Sequence, residues 1–251
     1  MVKKIIDTIP RLIQIVIIFP QIMKAAFEHV IKKINESPII EEPYPHMLIS
    51  GIFPDKFYSV LLEQIPNTST YTSKPKYPGR KTMTLDNFDI LDEEKKEFWK
   101  EVYSFLKSDK FANILLQKFN RSKNGVSDLF LHKDLENFEV KPHRDIFSKL
   151  ITYLFYLPKD SSLSQLGTHM LVPKKGVVIE KTTKHQDWEL FETVKKSEYV
   201  PNSFFAFSPH ENSFHAVKVN FPEDSVKERD TIRGFVFNKD EKDYPEYLFG
   251  K

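Results

Sequence analysis

The sequence predicts an α+β fold that is mostly β, a jelly-roll core preceded by supporting helices. Three observations predict it. Hydrophobic periodicity is helical up to about residue 120 and then changes to a period of two, in short β-branched and aromatic runs. Two histidines able to serve as metal ligands, His143 and His215, fall within those runs, a placement that suits a jelly-roll barrel. Aromatic residues form 14% of the chain, 22 of them Phe, which suits a tightly packed β-rich interior.

At the amino terminus, Lys3 and Lys4 precede an apolar run over residues 12–19. Asp7, Pro10 and Arg11 break it on one side and Pro20 on the other, no small-residue cleavage site follows, and so short a run cannot span a bilayer. A docked amphipathic or buried helix is expected, with a peripheral membrane or partner contact as the alternative and no transmembrane segment. Pro10 and Pro20 predict short helices rather than one rod, ending near Asn35-Glu-Ser-Pro38, within an N-terminal helical segment over residues 1–40. Three prolines and two glutamates make 37–46 a linker.

Residues 41–251 are expected to form a single domain, with helical support over 47–120 and the jelly-roll core over 121–251. Phe57, Leu61 and Gln64 or Ile65 share a stripe, predicting a helix over 54–65, and 66–82 is polar and turn-rich. From Asp92 to Phe119 the pattern is helical again, with Phe98, Val102, Phe105 and Leu106 on one side and Ser108-Asp109 capping a second helix. Strands are expected at 127–131, 149–157, 168–172, 203–207, 213–219 and 231–237. The charged segment Lys174–Lys196 reads as a surface insertion, a hairpin or lid over the barrel mouth.

Composition narrows the chemistry. With 37 basic against 35 acidic residues there is no basic field of the kind nucleic-acid binding needs. No cysteine is present, so disulfides, iron–sulfur clusters, thiolate zinc sites and a Cys nucleophile are excluded. Any metal must be held by His and carboxylate.

In Lys141-Pro-His-Arg-Asp-Ile146, His143 and Asp145 project to the same side of a strand while Arg144 points out. His215, in Ser213-Phe-His-Ala-Val217, must come from another strand and is expected on the opposite side of the jelly roll. Two imidazoles and one carboxylate leave coordination positions open, as oxygen chemistry requires. Arg229 and Thr231 share a strand face and offer a guanidinium beside a hydroxyl, a receptor for a carboxylate. Tyr156 lies on the Thr152, Leu154, Tyr156 face and can offer its phenol to the same carboxylate. A dicarboxylic keto acid would then chelate the metal at one end and be held by Arg229 at the other.

The segment from about 126 to 238 resembles the 2-oxoglutarate- and Fe(II)-dependent oxygenase superfamily, and within it the prolyl-hydroxylase-like branch. The matching pieces, in the family's order, are His143 and Asp145, Lys149-Leu-Ile-Thr-Tyr-Leu-Phe-Tyr-Leu-Pro158, Leu166-Gly-Thr168, Pro201-Asn-Ser-Phe-Phe-Ala-Phe-Ser208, Ser213-Phe-His-Ala-Val217 and Arg229-Asp-Thr231. The resemblance implies a double-stranded β-helix, cupin-like core. It implies His143, Asp145 and His215 as iron ligands, and Arg229 as partner of the distal carboxylate of 2-oxoglutarate with Thr231 and Tyr156 assisting. It implies Fe(II), 2-oxoglutarate and O₂, with ascorbate admitted as a reductant. The implied activity is hydroxylation of a small molecule or peptide residue with release of succinate and CO₂. Ferrous iron calls for a reducing compartment, so a cytoplasmic location is expected. The chain departs from the family's pattern at Leu166-Gly-Thr168, where a Gly-Gly pair is common, and at Pro158, where Asn is common.

Rival readings are a jelly-roll module that binds metal or ligand without turnover, and a zinc hydrolase using the same ligands. The second leaves Arg229, Thr231 and Tyr156 without a role. His132-Lys-Asp134 repeats the ligand spacing but lacks the strand that follows, and His210 to His215 has the wrong interval for a zinc-protease helix. Arg233 shares the face of Arg229 and is the alternative clamp, or a contact for an anionic substrate at the mouth. His169 and His185 read as solvated or hydrogen-bonded histidines. Specificity is expected to lie in the mouth loops 66–90 and 174–198, with Arg80, Lys81, Arg144 and Trp188 as the residues expected to meet substrate.

Overall fold

Met23, Ala26, Val30 and Ile34 recur at helical spacing and are all buried, forming the inner stripe of helix α1 (Phe19–Glu36). Pro20 stands in its first turn, where a missing N–H breaks no intrahelical bond. The structure, a computed structural model, describes residues 19–73, 75–121, 124–146, 148–179 and 184–240. The expectations for residues 1–18, including most of the apolar run, lie outside the described residues. Among those described, no helix is long and apolar enough to cross a membrane.

Three further helices follow the sequence pattern. Helix α2 (Asp55–Glu63) buries Phe57, Tyr58 and Leu61. Helix α3 (Glu93–Lys107) starts at Asp92, whose carboxylate accepts from the Lys95 backbone N–H, and carries Glu93 and Glu94 in the first turn and Lys107 in the last, as the helix dipole favours. Helix α4 (Asp109–Lys118) is capped by the Ser108 hydroxyl, which accepts from the Phe111 N–H at 3.2 Å.

Eleven strands form among the described residues: β1 (His46–Ser50), β2 (Thr72–Ser73), β3 (Arg80–Met83), β4 (Gly125–Asp134), β5 (Glu139–His143), β6 (Lys149–Tyr156), β7 (Thr168–Pro173), β8 (Phe191–Ser197), β9 (Ser203–Phe207), β10 (Phe214–Lys218) and β11 (Arg229–Asn238). They pair antiparallel in two sheets, one ordered β1-β9-β6-β11-β4-β3-β2 and the other β5-β10-β7-β8. This is the mostly β, jelly-roll architecture expected, with the helices on the outer face of the larger sheet. On β6 and β11 the alternation is visible in what each side chain touches. Ile151, Tyr153, Phe155, Ile232 and Val236 join the core shared with the helices, whereas Leu154 and Tyr156 join the core between the sheets.

Two glycines permit close approaches. A Cβ at Gly234 would lie 2.1 Å from the Tyr153 ring, which crosses it directly in register and reaches Ser127. A Cβ at Gly167 would lie 1.7 Å from the Ser197 carbonyl oxygen, so only glycine lets the start of β7 meet the end of β8.

The sequence reading needs amendment at five strands. Residues 47–120 supply more than helical support, because β1, β2 and β3 extend the large sheet and Arg80-Lys-Thr-Met83 pairs with β4. Strand β5 holds a Pro and charged residues, so its apolar alternation is weak. Strand β8 lies within the segment read as an insertion. It is a sheet edge, and its exposed, charged composition is what an edge strand tolerates.

Candidate metal centre

His143 ends β5 and His215 lies directly opposite it on β10. The two histidines are therefore on adjacent strands of one sheet, not on opposite sides of the jelly roll as the sequence separation suggested. Their rings are 4.2 Å apart between centroids. Each ring is turned by the same local device: His143 Nδ1 meets the Lys141 carbonyl at 2.9 Å, and His215 Nδ1 meets the Ser213 carbonyl at 3.0 Å. A carbonyl can only accept, so each Nδ1 carries the proton and each Nε2 presents its lone pair.

Asp145 stands two residues past the end of β5 and completes the group, with one ligand atom from each of the three residues lying within 4.8 Å of the others. Its Oδ2 is 3.8 Å from His215 Nε2. Lys149 Nζ donates to Asp145 Oδ1 at 2.5 Å and Thr152 Oγ1 donates to Oδ2 at 2.6 Å. Burial pushes the Asp145 carboxyl up, but Lys149 and the two imidazoles outweigh it and hold the group well below the usual carboxylate range. Burial first, then the neighbouring His215, pushes His143 well below the ordinary imidazole value, and burial lowers His215. The donor set is thus two neutral imidazoles and one carboxylate. Arg144 does not point out: it is buried over the Phe214 ring at 5.1 Å and donates to the Glu211 carbonyl, because the chain leaves the strand at His143 and strict alternation ends there.

The centre opens into a cavity of about 560 Å³ between the sheets. Arg229 lines it and is fully buried. Its Nη1 donates to Asp134 Oδ2 at 2.6 Å, its Nε donates to the Leu166 carbonyl at 2.7 Å, and its Nη2 has no hydrogen-bond partner. The faces of Tyr156 and Tyr199 flank the guanidinium at 5.3 and 5.2 Å. Thr231 lies opposite Tyr156 in register, and its buried hydroxyl also lacks a partner. The Tyr156 hydroxyl itself bonds Thr168 Oγ1 at 2.8 Å and Ser197 Oγ at 2.7 Å. Tyr156 therefore meets Arg229 with its ring.

Asp134 is a structural counter-ion. Arg80 holds it from the other side, Nε to Oδ1 at 2.6 Å and Nη2 to Oδ2 at 2.9 Å. His132 bonds Thr82 at 3.0 Å, and the alternative pair joins no group of metal-ligating residues among the described residues. His210 sits in a turn, its Nδ1 accepting from the Asn212 N–H. His169 is hydrogen-bonded to Thr193, as expected. His185 is exposed, as a solvated histidine should be, yet its ring is 5.0 Å from that of His143 and it lines the cavity. The loop that carries it is tied to β5 by Gln186 N–H to Pro142 O and by Trp188 to Glu139, contacts with no local sequence signal. Of the residues expected to meet substrate, Arg80 and Arg144 line the cavity, while Lys81 and Trp188 do not. Lys149 and Thr152, the partners of Asp145, were missed as site residues although Thr152 shares the face of Tyr156.

No protein-family model and no curated protein matches this chain. Among solved structures, a prolyl-4-hydroxylase from Pseudomonas putida is similar over 85% of this chain and 99% of its own, at 13% identity and a TM-score of 0.47. SnoN, a non-heme alpha-ketoglutarate-dependent epimerase from nogalamycin biosynthesis, is similar over 86% of this chain and 83% of its own, at 10% identity and a TM-score of 0.46. HygX from Streptomyces hygroscopicus, solved with nickel, 2-oxoglutarate and hygromycin B, is similar over 78% of this chain and 83% of its own, at 10% identity and a TM-score of 0.45.

Proposed function

We propose that this protein is a 2-oxoglutarate- and Fe(II)-dependent oxygenase of the prolyl-hydroxylase-like kind, hydroxylating a small molecule or a peptide residue. The observation that carries the reading is one cavity with two complementary ends. At one end the Nε2 atoms of His143 and His215 converge with the Asp145 carboxylate. At the other, Arg229 Nη2 is buried and unsatisfied, a state that costs free energy unless an acceptor arrives; Thr231 Oγ1, on the same strand face, is buried and unsatisfied as well.

The donor set fits ferrous ion, since two neutral imidazoles and a carboxylate leave positions for other ligands. When bound, iron and 2-oxoglutarate supply the oxidative decarboxylation that yields succinate and CO₂ and drives hydroxylation of a C–H bond. The chain's own part is orientation and electrostatics. Lys149 and Thr152 fix the Asp145 carboxylate and keep it ionised. The carbonyls of Lys141 and Ser213 fix both tautomers. Asp134 and the Leu166 carbonyl hold the Arg229 guanidinium against the Tyr156 ring and leave Nη2 free, so Arg229 would receive the distal carboxylate, with the Thr231 hydroxyl assisting. Leu154, Val217 and Phe207 contribute apolar surface to the cavity wall.

The test is succinate release from 2-oxoglutarate by purified protein supplied with Fe(II), O₂ and ascorbate. Release should require the metal, be lost in Asp145→Ala and His215→Ala, and fall in Arg229→Ala. Metal-independent release, or release undiminished in Asp145→Ala, would refute the assignment.

A further inference from the structure

The cavity carries more positive charge than the proposed reaction uses. Apart from Asp145, every charged side chain that lines it among the described residues is basic. Lys149 already matches Asp145, and the single charge of Asp134 is shared between Arg80 and Arg229. Arg233 has no carboxylate partner among the described residues; its guanidinium lies over the Phe235 ring at 4.7 Å, and its Nε is buried without an acceptor. Arg80 keeps a second unsatisfied nitrogen, Nη1, although its side chain is only 4% exposed. His132 Nε2, fully enclosed in the same region, is unsatisfied as well.

These groups share one face of the large sheet, Arg80 beside Asp134, His132 one alternation along β4 and Arg233 one alternation further. Arg233 lies opposite Phe130 on β4 and Leu154 on β6, one alternation inward from the pair of Phe235 with Thr152, and Thr152 is the residue that holds Asp145. Arg80 and Arg233 repel each other, and both press on His132. Like charges gathered around unsatisfied buried donors are favourable only when an anion sits among them. A divalent metal adds positive charge, and the dianionic co-substrate offsets only that amount. An excess remains at Arg233 and Arg80.

We propose that the primary substrate is a small anionic molecule whose carboxylate or phosphate is received by Arg233, with Arg80 Nη1 beside it, in a receptor separate from the Arg229 clamp. This rests on the reading of the cavity as a metal and 2-oxoglutarate centre. A planar guanidinium forms short charge-assisted bonds to either kind of oxyanion, so the chemistry specifies the acid group and leaves its parent acid to experiment.

The test uses the whole chain loaded with Mn(II) and saturated with 2-oxoglutarate, titrated by calorimetry with inorganic phosphate in one arm and acetate in the other, at constant ionic strength. Saturable binding of at least one anion alongside 2-oxoglutarate is expected; preference for phosphate assigns a phosphate ester and preference for acetate a carboxylic acid. Arg233→Gln should weaken that binding about tenfold or more, Arg233→Lys should restore most of it, and both should keep 2-oxoglutarate affinity within about threefold of wild type. The proposal is overturned if neither anion binds the loaded protein, if the anions merely displace 2-oxoglutarate, or if Arg233→Gln abolishes 2-oxoglutarate binding, which would make Arg233 the co-substrate clamp. Wild-type protein that takes Mn(II) but no 2-oxoglutarate would instead defeat the reading of the centre. The same titration without 2-oxoglutarate then decides the receptor, upheld by phosphate or acetate binding lost in Arg233→Gln and overturned by its absence.

Discussion

Replacing Asp134 by Asn should be among the most damaging isosteric changes in this chain. The carboxylate is fully buried and accepts three hydrogen bonds from two guanidiniums, at 2.6, 2.9 and 2.6 Å. Burial pulls Arg80 toward losing its proton, but a guanidinium does not deprotonate in a protein, so Asp134→Asn leaves two buried cations facing each other. Breaking a buried ion pair by removing one partner costs about 3–5 kcal/mol, a large share of a typical total of roughly 5–15 kcal/mol. At this chain length each kcal/mol lowers Tm by roughly 2–4 °C, so a fall of ~10 °C is expected by circular dichroism. The pH dependence has a definite sign. Burial raises the Asp134 carboxyl, Arg80 and Arg229 override it, and its folded value ends below the ordinary one. A depressed carboxyl stabilises the fold above its unfolded value, about pH 4, and that contribution disappears as pH falls through the folded value. The gap between wild type and Asp134→Asn should therefore shrink below about pH 4. A loss under about 1 kcal/mol at neutral pH would show that Asp134 is not the counter-ion of this cluster.

Other changes separate the parts of the site. Thr152→Val keeps the shape of the strand but removes the 2.6 Å bond to Asp145 Oδ2, and should weaken Fe(II) or Mn(II) affinity by about 10-fold with little change in Tm; unchanged affinity in a metal titration would deny Thr152 that role. Gly167→Ala forces a Cβ against the Ser197 carbonyl, a backbone atom that cannot step aside alone, and should cost about 1–3 kcal/mol in a denaturant melt. A neutral outcome there would mean that β7 and β8 approach less closely than described.

Much of this architecture is legible in the chain because its signals are local. The switch to alternation after residue 120 locates β4, β6, β7, β9, β10 and β11, and the spacing of His143 with Asp145 finds two candidate ligands that the structure does bring together with His215. What escapes is set by distant partners. Asp134 sits in a sequence that mimics a ligand pair, and its real role depends on Arg80 and Arg229, 54 and 95 residues away. Strand β8 is charged and exposed, so only its pairing with β7 makes it a strand. His185 reaches the centre because backbone and side-chain bonds fasten its loop to β5, and no periodicity announces that. The placement of His215 beside His143 within one sheet is likewise a property of topology, invisible in a separation along the chain.

The most direct measurement is an anaerobic titration of the Fe(II)-loaded protein with 2-oxoglutarate, followed by the weak visible metal-to-ligand absorption that chelation produces. Wild type should develop the band, Asp145→Ala should not, and Arg229→Ala should need far more 2-oxoglutarate to reach it. A wild-type protein that develops no band, or an Asp145→Ala variant that develops it undiminished, would contradict the assignment of His143, Asp145 and His215 as the iron ligands.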